Sequence, residues 1–297
     1  MFKKELKASL AITTTVGCRN LCSYCPQKTF IQAYKQRSDI TRMSFETFTR
    51  CLVSVPKDIC LSFSGFAEPW QSPECTEMVL HAHKERFPIR VNTTLIGMKP
   101  EDIRKLADVP FIKFVVHLPD NQGMTKIRVD ANYLDTVRQL TTMPLLNLFW
   151  KFHKTSPDLD IHPEVLPLLA KESKRMMYSG LNNRAGQVQS GTEYRLPNRG
   201  KVLRECQDFN HNILLPNGDV ALCHMDWSLK HILGNLLEED YTSLHKGKAF
   251  EKIRVGLSDT GSDILCRSCE KDIVKRTLVQ RTLHSVRKKT GGQQDPY

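Results

Sequence analysis

The sequence predicts an α/β fold in which parallel strands alternate with helices, followed by a small C-terminal α+β unit. Two observations support this prediction. Between residues 10 and 178, six strand-like runs alternate with five segments of helical periodicity, a pattern typical of parallel strands joined by right-handed crossovers. Beyond residue 205, four cysteines surround a hairpin pattern. The alternating part fits a partial (β/α)6, TIM-like barrel.

The individual elements follow from residue type and spacing. β-branched and aromatic residues predict strands at 10–16, 59–63, 89–93, 110–118, 145–152 and 175–178. Apolar residues three or four positions apart predict helices at 44–55, with Ser44 as N-cap, and at 74–86, 100–107, 130–142 and 163–173. Residues 28–42 are polar and basic without a clear period, so this segment is predicted to be a loop.

The N-terminus has a weak likeness to a lipoprotein signal, because Lys3, Lys4 and Lys7 precede the apolar run 10–16 and Cys18. The run is short and carries three threonines, which makes it a poor signal core. No segment approaches the roughly 18–20 apolar residues that a membrane span needs. We therefore expect a cytoplasmic protein without a membrane partner.

The net charge of +11 is partly local, because Lys and Arg crowd residues 174–204 and 271–289. Such an excess favours anionic partners: phosphorylated sugars, nucleotides or nucleic acid. For the second group, an ordinary solvated surface is the preferred interpretation. The first group mildly favours an anionic substrate.

A short loop after the first strand holds three cysteines, Cys18, Cys22 and Cys25. The carboxyl ends of parallel strands are where such folds keep their chemistry. Three thiolates can hold three corners of a cubane iron–sulfur cluster, whereas a fully ligated cluster takes four cysteines. The loop therefore predicts a cluster with one iron open to another ligand.

A second group comprises Cys206, Cys223, Cys266 and Cys269. Asn217-Gly218 predicts a hairpin that brings the first two together, and the Cys-x2-Cys pair supplies two further ligands. Four thiolates complete either an iron–sulfur cluster or a zinc site, and spacing alone leaves both open. The other three cysteines, Cys51, Cys60 and Cys75, are predicted to be small core residues.

The Cys-x3-Cys-x2-Cys spacing resembles the signature of the radical S-adenosylmethionine (SAM) enzymes. The resemblance implies that the open iron binds the amino and carboxylate groups of SAM and that Tyr24 lies against the adenine. The segment Gly65-Phe66-Ala67-Glu68-Pro69 resembles the family's Gly-x-Gly-Glu-Pro motif, which pairs with the SAM amino group. Ala67 replaces the second glycine, a departure that puts the backbone position there in doubt.

The other strand ends supply further candidates. Asn92 resembles the family's Thr-Asn-Gly region, and His117 stands where many members have a Ser-x-Asp segment, although a structural histidine is the more ordinary reading. Lys151 and His153 follow the fifth strand and Arg184 the sixth. These three are catalytic or substrate-binding candidates, and the Arg184 fork suits a carboxylate of SAM or of an anionic substrate.

The second cysteine group, with Asp226 and Gly234-Asn235, resembles the SPASM/Twitch extension of radical SAM enzymes. That extension carries auxiliary 4Fe–4S clusters. With no cysteine after Cys269, the shorter Twitch form with one such cluster is expected. The expected organisation is a barrel at 1–180, a basic linker at 181–205, a Twitch-like domain at 206–272 and a basic helix or disordered tail at 273–297.

The function implied is reductive cleavage of SAM to a 5′-deoxyadenosyl radical that abstracts hydrogen from a substrate C–H bond. The electron donor would be of flavodoxin or ferredoxin type. Net dehydrogenation of a sugar- or nucleotide-like anion, assisted by the auxiliary cluster, is the first expectation, and peptide modification is the second. A zinc-stapled, basic nucleic-acid-binding protein is the alternative of another class.

Overall fold

The computed structural model describes residues 8–143, 145, 147–188, 198–271 and 273. Lys3, Lys4, Lys7 and Arg195, and the basic tail from residue 274 onward, lie outside the described residues. Nine strands within the described part form a single sheet in the order β6-β5-β4-β3-β2-β1-β7-β8-β9. They are β1 Ser9–Ile12, β2 Cys60–Phe63, β3 Ile89–Thr93, β4 Lys113–His117, β5 Leu148–His153, β6 Met176–Ser179, β7 His211–Leu214, β8 Asp219–Ala221 and β9 Ile232–Asn235.

The strands β1 to β6 pair with one another in parallel and in sequence order. The α/β architecture predicted from the alternating pattern is therefore confirmed. Each of the six predicted strands is present, with ends shifted by a few residues. Register slips are prevented by the pleat of β5, in which Leu148, Trp150 and Phe152 are buried while the residues between them face the other side.

Seven α-helices accompany the sheet within the described residues. They are α1 Gln27–Lys35, α2 Phe45–Leu52, α3 Cys75–Lys84, α4 Pro100–Leu106, α5 Ala131–Thr142, α6 Tyr241–Leu244 and α7 Lys248–Ser258. Ser44 caps α2 as predicted, since its side chain accepts a hydrogen bond from the backbone N–H of Thr47. Asp130 caps α5 in the same way through Tyr133.

Two predictions of local structure are wrong. The first half of the predicted loop 28–42 belongs to α1, whose buried face is formed by Gln27, Phe30 and Tyr34 at helical spacing; the surrounding basic residues obscured that pattern. The segment 163–173 is instead mostly turn, with a short 3-10 helix at Leu166–Leu169. Prolines at 163 and 167 lack the N–H that a continuing α-helix needs, which explains the interruption.

The core lies between the sheet and the helices. Cys51, Cys60 and Cys75 are fully buried there, which confirms their predicted role as small core residues. Trp150 is fully buried and its indole N–H donates to Glu172 at 2.9 Å. No helix in the described part of the chain is long and apolar enough to cross a bilayer.

The hairpin formed by β7 and β8 is present around Asn217-Gly218, as predicted. Gly218 has φ +90°, a conformation that L side chains rarely adopt. The sequence did not predict where the hairpin lies: β7 pairs in parallel with β1, Ser9 opposite His211 and Ile12 opposite Leu214. The sheet is thus continuous between the barrel strands and the C-terminal cysteine region.

Candidate active site

The carboxyl ends of the parallel strands surround a cavity of about 490 Å³. That volume is typical of small-molecule sites. Every candidate residue named from the sequence for the first cluster, for SAM or for catalysis lines this cavity. They are Cys18, Cys22, Tyr24, Cys25, Gly65, Phe66, Glu68, Asn92, His117, Lys151, His153 and Arg184.

The cysteine loop is held by backbone hydrogen bonds to its neighbours. The N–H of Ser23 donates to the carbonyl of Met124 at 2.8 Å, and the N–H of Lys126 donates to that of Asn20 at 2.6 Å. Both contacts join the loop to the segment after β4. Because the loop backbone is fixed in this way, its three thiols face the cavity from one side.

Glu68 is a buried carboxylate that joins three loops. One oxygen accepts from the Thr93 hydroxyl at 2.5 Å, and the other accepts from the N–H and the hydroxyl of Thr94 at 2.7 and 2.8 Å. The Thr94 hydroxyl in turn accepts from the side-chain amide of Asn20 at 2.8 Å. Glu68 therefore connects the loops after β1, β2 and β3, which is a positioning role.

Gly65 has no room for a side chain. Its φ is +58°, and an added Cβ would lie 2.7 Å from the Cα of Thr13 at the end of β1. The next residue, Phe66, donates its N–H to the Thr13 hydroxyl at 3.2 Å and accepts at its carbonyl from Gln27 at 2.5 Å. The loop after β2 is thereby fixed against the cysteine loop.

Three rings extend from the cysteine loop across the strand ends. Tyr24 lies 5.1 Å from His153, and His153 lies 5.4 Å from His117, measured between ring centroids. Burial, with the nearby Lys151 charge, lowers the pKa of His117 well below its usual value and that of His153 to about 4. Both imidazoles are therefore neutral at pH 7.

The cavity is electropositive. Among its lining residues Arg90, Lys151 and Arg184 are cations, and Glu68 is the one carboxylate. The pKa of Lys151 is lowered to about 8, first by burial and then by the positive charges of Arg184, Arg90 and Lys113. The Nε atoms of Arg90 and Arg184 are buried without a hydrogen-bond partner, an arrangement that costs free energy unless a ligand accepts the bond.

Sequence reasoning missed several lining residues, notably Arg90, His211, His224 and Trp227. Arg90 had a detectable signal: it is a charge between Ile89 and Val91 in a strand, so it must face away from the core. No feature of the sequence indicated that His211, His224 and Trp227 line the cavity, because their position depends on the pairing of β7 with β1.

The second cysteine group lies outside the cavity lining. Cys223, Cys266 and Cys269 are buried, Cys206 is partly buried, and all four are free thiols. Neighbouring thiols, after burial, raise the pKa of Cys266 to about 12 and that of Cys269 to about 11. Cys206 contributes to both of these shifts, and Cys266 contributes to the raised pKa of Cys223.

Two residues fix the loops that carry these thiols. The Asn198 side-chain amide donates to the carbonyls of Cys266 and Cys269 at 3.3 and 2.8 Å. Asp226, which is fully buried, accepts from the N–H of His231 at 2.7 Å, and His231 Nε2 accepts from the N–H of Leu265 at 3.0 Å. The Cys223 loop and the Cys266 loop are thus linked directly.

The donor sets fit iron–sulfur clusters. Both donor sets consist of free cysteine thiols, which are the usual ligands of iron–sulfur clusters. Three free thiols around an electropositive cavity, and four buried free thiols elsewhere, suit one open and one closed cluster.

Comparison with protein-family models identifies residues 206–270 as a SPASM domain, an iron–sulfur cluster-binding domain. This match spans all four cysteines of the second group. The predicted SPASM/Twitch extension is thereby confirmed, and the iron–sulfur alternative replaces zinc for this part of the chain. No curated protein sequence matches the chain.

Solved structures share the fold at low identity. BtrN in complex with AdoMet and 2-DOIA is 16% identical, with a TM-score of 0.57 over 91% of this chain and 95% of that one. AnSMEcpe with AdoMet and a Cp18Cys peptide is 12% identical, with a TM-score of 0.60 over 96% of both chains. SuiB from Streptococcus suis, bound to precursor peptide SuiA, is 12% identical, with a TM-score of 0.60 over 83% and 66%.

These neighbours are radical SAM enzymes with SPASM or Twitch domains. The chain therefore has the radical SAM partial-barrel fold with a C-terminal SPASM domain, and the resemblance drawn from its cysteine loop is confirmed at this level.

Proposed function

We propose that this chain is a radical SAM enzyme whose substrate binds in the cavity at the carboxyl ends of β1 to β6. The observation that carries the proposal is the convergence of the Cys18, Cys22 and Cys25 loop with the Gly65–Pro69 loop on one cavity. When bound, the reduced cluster and SAM supply a 5′-deoxyadenosyl radical that abstracts hydrogen from a substrate C–H bond.

The chain's own residues bind and orient the cofactor. In the proposed arrangement Tyr24 covers the adenine, and the fixed backbone at Gly65 and Phe66 receives the SAM amino group. Asn92 and His117, which line the same cavity, complete the SAM site. Neutral His117 accepts or donates one hydrogen bond without adding charge beside a sulfonium. Glu68 acts through Thr93 and Thr94, because its oxygens are already occupied.

Arg184 is proposed to bind the carboxylate of SAM. Its charge acts on Cys25, lowering the thiol's pKa after the larger effect of the Cys22 hydrogen bond, so it lies near the first cluster. Its guanidinium lies over the Trp227 ring, 5.9 Å from the centroid, and this stacking holds the fork in place.

Cys206, Cys223, Cys266 and Cys269 are proposed to ligate one auxiliary 4Fe–4S cluster. We further propose a net oxidation of a sugar- or nucleotide-like anionic substrate, with the auxiliary cluster as electron acceptor and a flavodoxin- or ferredoxin-type donor for the first cluster. The likeness to the BtrN complex with 2-DOIA and the cations of the cavity support this choice. The free state of all ten cysteines suits the cytoplasm as its compartment.

Peptide modification is the second candidate. The structures of SuiB with precursor peptide SuiA and of anSMEcpe with a peptide favour it, since both share this fold. Incubation of the reduced enzyme with SAM and either candidate class separates the two, because the true class accelerates formation of 5′-deoxyadenosine.

Anaerobic reconstitution tests the proposal. We expect on the order of eight irons per chain, enough for two 4Fe–4S clusters. We also expect formation of 5′-deoxyadenosine from SAM once a reductant is added. Tight zinc binding without a brown chromophore would instead support the zinc-stapled nucleic-acid-binding alternative.

A further inference from the structure

Arg90 and Lys151 lie at two levels of the cavity wall. The register places Arg90 on β3 opposite Ser62 on β2, and Lys151 on β5 opposite His117 on β4. Arg90 precedes Asn92 by two residues, which is about 6.7 Å along a strand. Asn92 pairs with Val115 on β4, and Val115 pairs with Phe149 on β5. Lys151 follows Phe149 by two residues, so it lies one inward-facing position closer than Asn92 to the carboxyl ends of the strands.

Both cations line the same cavity. Arg90 is among the charges that lower the pKa of Lys151, and it acts likewise on His211 on the opposite side, at β7. His211 is held by Ser9 through a 2.8 Å hydrogen bond. Neither Arg90 nor Lys151 forms an ion pair with any described residue.

No carboxylate of the described lining pairs with Arg90 or Lys151. The one carboxylate of the lining, Glu68, is bonded to threonines, so it compensates neither cation. Arg90 Nε is buried without a partner. Bound SAM brings one carboxylate, which the proposed function assigns to Arg184 and which its own sulfonium offsets, so SAM supplies no anion for Arg90 or Lys151.

We propose that Arg90 and Lys151, from their two levels of the cavity wall, form a phosphate-binding subsite and that the substrate is a small phosphate-bearing molecule. This inference rests on the proposed function. A guanidinium fork from β3 and an ammonium from β5 approach from different directions, which suits the tetrahedral oxygens of a phosphate better than a planar carboxylate. The cavity volume of about 490 Å³ is that of a small-molecule site.

The binding test uses the reconstituted holoenzyme with SAM and titrates inorganic phosphate by calorimetry. We expect Arg90→Gln and Lys151→Gln each to weaken phosphate binding at least tenfold, and Arg90→Lys to lose less. Arg104→Gln is the matched control, because Arg104 is exposed on α4 and pairs only with Glu101 among the described residues. Unchanged phosphate affinity in either Gln variant would overturn the subsite.

SAM binding separates this subsite from the cofactor site. We expect SAM affinity to be unchanged in the control Arg104→Gln, and we expect Arg90→Gln to weaken phosphate binding at least tenfold more than it weakens SAM binding. A parallel loss of SAM affinity would assign Arg90 to SAM and overturn the inference. Absence of SAM cleavage in the wild type would refute the proposed function, while the phosphate titration would still report on the subsite.

The substrate class is tested by stimulation of 5′-deoxyadenosine formation. Small phosphate monoesters should stimulate the wild type more than their dephosphorylated counterparts, and Arg90→Gln should abolish that difference. Stimulation by acidic peptides but not by phosphate monoesters would contradict the assignment.

Discussion

Arg267 lies between the two cysteines of the Cys-x2-Cys pair and is 4% exposed. Its guanidinium donates to the backbone carbonyls of five residues, Asn198, Lys201, Gly256, Leu257 and Asp259. This buried positive charge has no carboxylate partner among the described residues. It therefore offsets part of the negative charge of the four thiolates that we propose as cluster ligands.

Arg267→Met should destabilise the protein by about 3 kcal/mol or more, since several buried carbonyls lose their donor together. Arg254→Met is the matched control: Arg254 lies on α7 with exposed ion pairs to Glu205 and Glu251, and its loss should cost no more than about 0.5 kcal/mol. Denaturant unfolding of both variants measures the difference. Equal stability of the two would contradict this account of Arg267.

Lys151 should make phosphate binding pH-dependent. With its pKa lowered to about 8, Lys151 is charged below that pH and loses its charge as the pH rises through it. A phosphate stays dianionic across this range, so its affinity should fall between about pH 8 and 10 in the wild type. The charged or titratable groups that face Lys151 are Arg90, Lys113, His117, His153 and Arg184.

Lys151→Arg should remove this pH dependence, because guanidinium stays charged. His117 and His153 are neutral throughout the range and so contribute no change. Calorimetric titration of inorganic phosphate at several pH values checks the prediction. A similar fall in affinity in Lys151→Arg would assign the titration to another group.

Residue type predicted that Cys18, Cys22 and Cys25 lie at the cavity with much of its lining, because their spacing is local and strand ends share one face. Arg267, Asn198 and Arg90 were not predicted as important. Asn198 and Arg267 act through carbonyls distant in sequence, and such partners are specified only by the tertiary fold.

The elements around the site are loops fixed by close backbone contact, and the loop after β2 has the least freedom. Gly65→Ala should force this loop away from Thr13, since the new Cβ would meet backbone atoms that cannot yield. We expect SAM affinity to fall about tenfold, or about 1.4 kcal/mol. Equilibrium binding of SAM to the reconstituted enzyme measures it.

Gly261→Ala is the control for this substitution, because its nearest contact to an added Cβ is a flexible Asp259 oxygen at 3.6 Å. It should leave SAM affinity unchanged. Wild-type affinity in Gly65→Ala would show that the loop does not position the cofactor.

Element prediction succeeded where periodicity and breakers agreed, as for α2 between Ser44 and Pro56. It failed for α1, where basic residues around Phe30 and Tyr34 masked a short apolar face. The position of β7 beside β1 was beyond reach, because a parallel pair separated by about two hundred residues leaves no local signal.

At the scale of the whole molecule, one sheet connects the two cysteine regions. Trp227, four residues after Cys223, lies 4.6 Å from Phe66 between ring centroids. The SPASM region therefore contributes directly to the wall of the cavity, through Trp227, His211 and His224. Proposed substrate binding and the auxiliary cluster are thus parts of one structure.

The central claim is that Cys18, Cys22 and Cys25 hold a cluster that cleaves SAM. The most direct measurement is iron content and 5′-deoxyadenosine formation in the variant with all three replaced by Ala. Because Cys206, Cys223, Cys266 and Cys269 are untouched, we predict that the iron content falls by about half and SAM cleavage stops. Continued formation of 5′-deoxyadenosine by that variant would contradict the account.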